Sequence, residues 1–113
     1  MRTLRVKKRF FDLIVSGLKD LEVRVGYDNI RTVTPGERIQ ITTHESARVI
    51  RVLEVRRYRS FEEMLAVERA ERIAPGLSRD QVLALLREIY PPHKEQLGVV
   101  VLQIQPEDRP QAA

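Results

Sequence analysis

The sequence has no cysteine and no tryptophan, and only three Phe and three Tyr among its 113 residues. Without cysteine there is no disulfide scaffold, no thiolate-bound zinc or iron–sulfur centre and no thiol nucleophile. The two histidines, His44 and His93, do not stand at ligand spacing, so neither a metal nor a cofactor is expected. With so few aromatics a platform stacking several bases is not expected, although one or two bases could still be held. No apolar run nears the about 20 residues that cross a bilayer, and the Arg- and Lys-rich stretch Met1–Arg9 lacks the hydrophobic core of a signal peptide. The expectation is a cytoplasmic chain with no membrane partner. There is also no G-x-G-x-x-G, P-loop or G-x-S-x-G, which removes the support for a nucleotide-binding Rossmann fold or a serine hydrolase.

What is present suits one folded domain: 42% of the residues are hydrophobic and 32% charged, enough to bury a core and argue against disorder. Lys and Arg outnumber Asp and Glu by 20 to 16, for a net charge of +4. The excess is local. Up to Arg59 there are 14 basic and 7 acidic residues, and beyond it 6 basic and 9 acidic. The basic residues gather in Arg2, Arg5, Lys7, Lys8 and Arg9, and again in Arg48, Arg51, Arg56, Arg57 and Arg59. Patches of this kind attract phosphate when they fall on one face, and are ordinary solvated surface when they do not.

Leu4 and Val6 alternate with Arg5 and Lys7, predicting a short strand. Phe10, Leu13 and Ile14 recur at helical spacing, so a helix is expected over 9–16, closed by Gly17 in a left-handed cap. From Asp20 to Val25 the period becomes two, with Leu21, Val23 and Val25 on one face and Glu22 and Arg24 on the other. Residues 26–36 read as an exposed loop ending in a type II Pro35-Gly36 turn. Strands follow over 38–42 and 47–57, the second with a phase slip that requires a β-bulge. Ser60 with Glu63 and Ser78 with Gln81 match capping boxes that open two helices. Phe61, Met64 and Leu65 line the first; Val82, Leu85, Leu86 and Ile89 line the second, and both stripes read as core. That helix stops at Tyr90 before Pro91-Pro92. Val99–Ile104 is apolar on both parities, as in a central strand covered on both faces. The domain is therefore expected over 1–105, with a flexible tail over 106–113. The class is α+β: a small, decorated β-barrel of about five strands, with an early short helix and an inserted helical pair.

The chemistry concentrates in Gly17-Leu18-Lys19-Asp20-Leu21-Glu22-Val23-Arg24, a G-x-K-x-x-E-x-R element at a helix-to-strand junction. If this face lines a cleft, Arg24 can present its planar fork to a phosphate, a carboxylate or a base edge. Desolvation beside Arg24 would draw the Lys19 amine toward its neutral, reactive form, whereas Glu22 would hold it charged. Spacing alone leaves open a surface ion-pair ladder.

The element resembles the signature of ASCH domains, which have a PUA-like β-barrel fold. The likeness extends to Phe10–Gly17, the Pro35-Gly36-Glu37-Arg38 turn, Tyr58–Leu65 and the closing Gly98-Val99-Val100, and so covers nearly the whole chain. The resemblance implies a cleft lined by the motif's charged residues Lys19, Glu22 and Arg24 that binds RNA or a nucleotide-derived ligand; Tyr90, just before Pro91-Pro92, could reach the cleft edge and stack on a base, or be half-buried packing at the end of its helix. Arg5, Lys7, Lys8, Arg9, Arg48, Arg51, Arg56, Arg57 and Arg59 are then expected to meet the nucleic-acid backbone. It also implies an alternative, a metal-free hydrolase acting on RNA, or on N4-acetylcytidine as in an amidohydrolase branch. There Lys19 matches the catalytic lysine, Glu22 or Glu68 would shuttle the proton, and Arg24 would orient the base. In that branch a threonine stands three residues after the lysine, where this chain has Glu22.

Overall fold

A computed structural model describes residues 1–107. Its strands are β1 (Arg2–Arg5), β2 (Leu21–Val25), β3 (Arg38–Thr42), β4 (Ala47–Tyr58) and β5 (Val99–Pro106). The helices are α1 (Lys8–Val15), α2 (Asp28–Arg31), α3 (Phe61–Val67), α4 (Ala70–Ile73), α5 (Arg79–Ile89) and α6 (Pro92–Glu95). The strands form one sheet in the order β1-β3-β4-β5-β2, with β1 parallel to β3 and the other neighbours antiparallel. β1 and β2 are its two edges, yet the Arg24 guanidinium on β2 donates to the Arg5 carbonyl on β1 at 2.8 Å. The sheet is thus curled until its free edges face each other across an open seam, giving an α+β half-barrel of PUA-like type.

β5 is the strand that makes this possible. Val100, Leu102 and Ile104 pack into one core with Leu4, Ile14, Ile39, Ile41, Ile50 and Val52, while Val99 and Val101 pack into a second with Leu21, Val23, Val25, Phe61, Met64 and Val82. A strand apolar on both parities is what such a two-sided position requires. The bulge falls between Val52 and Glu54, so Leu53 is the extra residue, and its side chain is turned outward instead of joining the core. β4 runs one residue past its expected end, to Tyr58.

Several expectations are corrected. The stretch 26–36 is not all loop: it contains α2, and Ile30 and Val33 are buried, fixing it against the first core. Its end is as expected, with Gly36 at φ +91° and the Glu37 N–H bonded to the Thr34 carbonyl across a type II turn. The full capping box forms only at Ser78 and Gln81; at Ser60 the hydroxyl accepts from the Glu63 N–H, while the Glu63 carboxylate turns toward Arg59. The helical insertion holds α4 besides the expected pair, and a further short helix, α6, carries an exposed His93 after the double proline. At the far end Pro106 pairs with Ile50, and the Glu107 N–H donates to the Val49 carbonyl, so order continues past the expected boundary at 105. The rest of the expected tail, 108–113, lies outside the described residues.

Candidate ligand pocket

Gly17 starts the site. At φ +85° it ends α1 in the left-handed region, and the Lys19 N–H then folds back onto the Leu13 carbonyl at 3.0 Å. This places the Lys19 side chain beside β2 with only 4% of its surface exposed. Its ammonium donates to the Leu21 carbonyl, stands 3.1 Å from Glu22 Oε1, and lies 5.7 Å from the Phe10 ring centroid. Glu22 Oε2 accepts from Arg24 Nε at 2.7 Å. One buried carboxylate therefore holds two cations. Burial alone would raise the Glu22 carboxyl, but Lys19 and Arg24 outweigh it and hold the group below its ordinary value. Of the two arrangements the sequence left open for Lys19, the geometry shows the ion pair with Glu22.

β2 offers more than side chains. The Asp20 carbonyl and the Gly26 N–H bond to β5, so the even-numbered residues between them face that strand. The N–H and C=O groups of Leu21, Val23 and Val25 consequently point to the free edge. Lys19 occupies the Leu21 carbonyl, and the Val25 amide lies beside the Tyr90 hydroxyl. Burial pushes that hydroxyl up, with Arg24 and the Val25 amide partly opposing. Between these two stoppers the Val23 backbone, a donor next to an acceptor, faces the cavity that Val23 lines.

The cavity measures about 220 Å³ and wraps round the free edge of β2. Phe10 of α1 and Ile73 and Ala74 at the end of α4 form part of its wall, and α5 contributes Val82, Leu85, Leu86 and Ile89, with Tyr90 just beyond. The α5 stripe expected to be core is thus divided: Val82 and Leu86 are buried, whereas Leu85 and Ile89 keep surface toward the cavity and solvent. Helical periodicity finds an apolar face but cannot tell whether a sheet or an empty space lies against it. The mouth carries Arg5 and Lys7, whose side chains have no partner among the described residues. Arg9 lies over the Phe10 ring at 5.0 Å.

Lys19, Glu22, Arg24, Tyr90, Arg5 and Lys7 are therefore brought together. Glu68 is not. Expected as one of two proton shuttles in the hydrolase alternative, it caps α3 in extended conformation and does not line the cavity. Its carboxylate takes a fork from Arg56, at 2.6 and 3.0 Å, and the Tyr58 hydroxyl at 2.6 Å. These bonds hold Glu68 below its ordinary value despite burial, which acts to raise it. Arg56, expected on the nucleic-acid backbone, is held in this cluster with Glu54 and Gln103. Arg48, Arg51, Arg57 and Arg59 do not line the cavity either, and Arg57 donates to the Arg31 carbonyl. Among the described residues no group of three His, Asp or Glu side chains could hold a metal ion, and no helix is long and apolar enough to cross a membrane.

The fold is shared with solved structures. The hypothetical protein PH0355 superposes with a TM-score of 0.84 at 29% identity, over 95% of this chain and 100% of that one. The solution structure of PF0455 from Pyrococcus furiosus gives 0.77 at 30% identity, over 96% and 98%. No curated protein matches the chain. Residues 4–107 match the model of the ASCH domain, a span that takes in every residue of the pocket and the curled sheet from Leu4 of β1 onward, and the chain belongs to that family.

Proposed function

We propose that this chain binds RNA by taking one base into the pocket at the seam and holding the adjoining phosphate on Arg5 and Lys7. The observation that carries the reading is the lining itself: a mainly apolar cavity with four cations, Arg5, Lys7, Lys19 and Arg24, against the single carboxylate of Glu22. Apolar walls take the flat faces of a base, and the excess positive charge takes its phosphate. The volume, about 220 Å³, falls below the about 300 Å³ at which drug-sized sites begin, and so suits one base. The outward Val23 N–H and C=O offer its edge a donor and an acceptor. ASCH domains are in general RNA-binding, which agrees with this chemistry.

Lys7 supplies a test, because it works against its own helix. It occupies the N-cap of α1 with no side-chain cap bond, and the first turn holds no acidic residue. A cation there opposes the helix dipole. Lys7→Asp should therefore raise stability by about 1 kcal/mol in urea unfolding. The same change should weaken binding of a labelled single-stranded RNA and flatten its salt dependence by about 0.7 in log K per log salt. Unaltered RNA affinity in Lys7→Asp, or no RNA binding by the native chain, counts against the reading.

The hydrolase alternative draws less support from the geometry. Glu68 faces Arg56 and Tyr58, and the Lys19 ammonium is engaged by Glu22 and the Leu21 carbonyl. N4-acetylcytidine and labelled RNA should both survive incubation with the native chain at the rate seen without protein. Turnover that disappears in Lys19→Ala would replace the binding reading with an enzymatic one.

A further inference from the structure

A second cavity, of about 430 Å³, adjoins the first and is lined by Arg5, Val6, Lys7, Lys8, Thr43, His44 and Glu45. Arg5, Val6 and Lys7 line both cavities and form the ridge between them. We propose that this second cavity holds the next nucleotide of the strand whose base enters the first, so that the ligand is an RNA of at least two nucleotides and not a free nucleoside. The inference rests on the RNA-binding reading above.

The ridge is fixed and cationic. The Val6 N–H donates to the Thr42 carbonyl at 2.9 Å, which anchors the chain as it leaves β1. On either side of Val6, Arg5 and Lys7 are exposed, with no side-chain partner among the described residues. A phosphodiester lying over the ridge meets both, with one nucleoside to each side. The far wall is fixed too. The Thr43 N–H donates to the Ser46 carbonyl at 2.8 Å, and Thr43 Oγ1 accepts from the N–H groups of Glu45 and Ser46. From this tied turn between β3 and β4, His44 and Glu45 border the cavity, and both are exposed. His44 can stack its ring on a base, and Glu45 is a lone carboxylate whose charge opposes the strand. Lys8, held by Asp12 at 2.8 Å, is a further cation on the cavity's lining.

The two walls give opposite signs on substitution. Affinities are measured calorimetrically for nucleoside 5′- and 3′-monophosphates, a dinucleotide and a trinucleotide, on the native chain, His44→Ala and Glu45→Gln. The dinucleotide should bind at least about tenfold more tightly than either monophosphate. His44→Ala should remove about fivefold or more of that gain, as expected for a lost stacking partner. Glu45→Gln should strengthen dinucleotide binding, and both variants should leave the monophosphates unchanged. Monophosphates that bind as tightly as the dinucleotide, or dinucleotide affinity indifferent to both variants, overturn the second-cavity assignment alone. No binding of any of these probes overturns the RNA-binding reading and this inference together.

Discussion

Glu22→Gln should lose about 3 to 5 kcal/mol of unfolding free energy, a large part of the about 5 to 15 kcal/mol that holds a domain of this size together. The carboxylate is buried between Lys19 and Arg24, and its removal leaves two cations facing each other with no anion among the pocket residues. Lys19→Met should cost distinctly less, because Glu22 keeps Arg24 at 2.7 Å and a methionine fills the same space beside Phe10. The order of these two losses in urea unfolding is the test. A Lys19→Met loss equal to or larger than that of Glu22→Gln refutes a carboxylate-centred site.

The same carboxylate sets an acid limit. Its folded value lies below the ordinary 4.5, so its contribution is complete above pH 4.5 and fades as pH falls through the lower folded value. Native stability should fall in that window, and the fall should be shallower in Glu22→Gln. It should not vanish, since Glu68 is held down by Arg56 and Tyr58 and loses its contribution in the same direction.

These charges could be foreseen in part because short-range patterns carried them. Period two over 21–25 put Glu22 and Arg24 on one face, and Gly17 announced the turn that brings Lys19 beside them. The double apolar parity of Val99–Ile104 likewise disclosed a strand between two cores. What stayed hidden depends on contacts distant in sequence. Glu68 meets Arg56 twelve residues away and through it Gln103, 47 residues from Arg56, a pairing that exists only because β4 lies beside β5. Arg56 therefore reads as a free surface cation until the sheet is assembled. Ile30 and Val33 had helical spacing within a turn-rich stretch, a weak signal that the turn residues masked. The apolar wall given by α5 was recognised as a stripe but not as a wall, since periodicity reports which face is apolar and not what it meets.

Arg24→Ala should weaken RNA binding by about 2 to 3 kcal/mol, roughly thirty- to more than a hundredfold, whereas Arg51→Ala should change it little. Arg24 does three things from one position. Nε holds Glu22 at 2.7 Å, Nη2 closes the seam onto the Arg5 carbonyl at 2.8 Å, and Nη1 has no protein partner among the described residues. Arg51 is an exposed cation on β4 that lines neither cavity. A cation of that kind can add one phosphate contact and a salt-dependent increment, uniform across sequences. Arg24→Lys separates charge from geometry: it keeps one positive charge but cannot hold Glu22, span the seam and face the ligand together, so most of the affinity should still be lost. The two edge strands should then part more readily, seen as faster amide exchange at Arg5 and its neighbours, with the Phe61 core protected as before. Full affinity in Arg24→Lys would assign the arginine a purely electrostatic role, and equal losses in Arg24→Ala and Arg51→Ala would move the binding surface away from the seam.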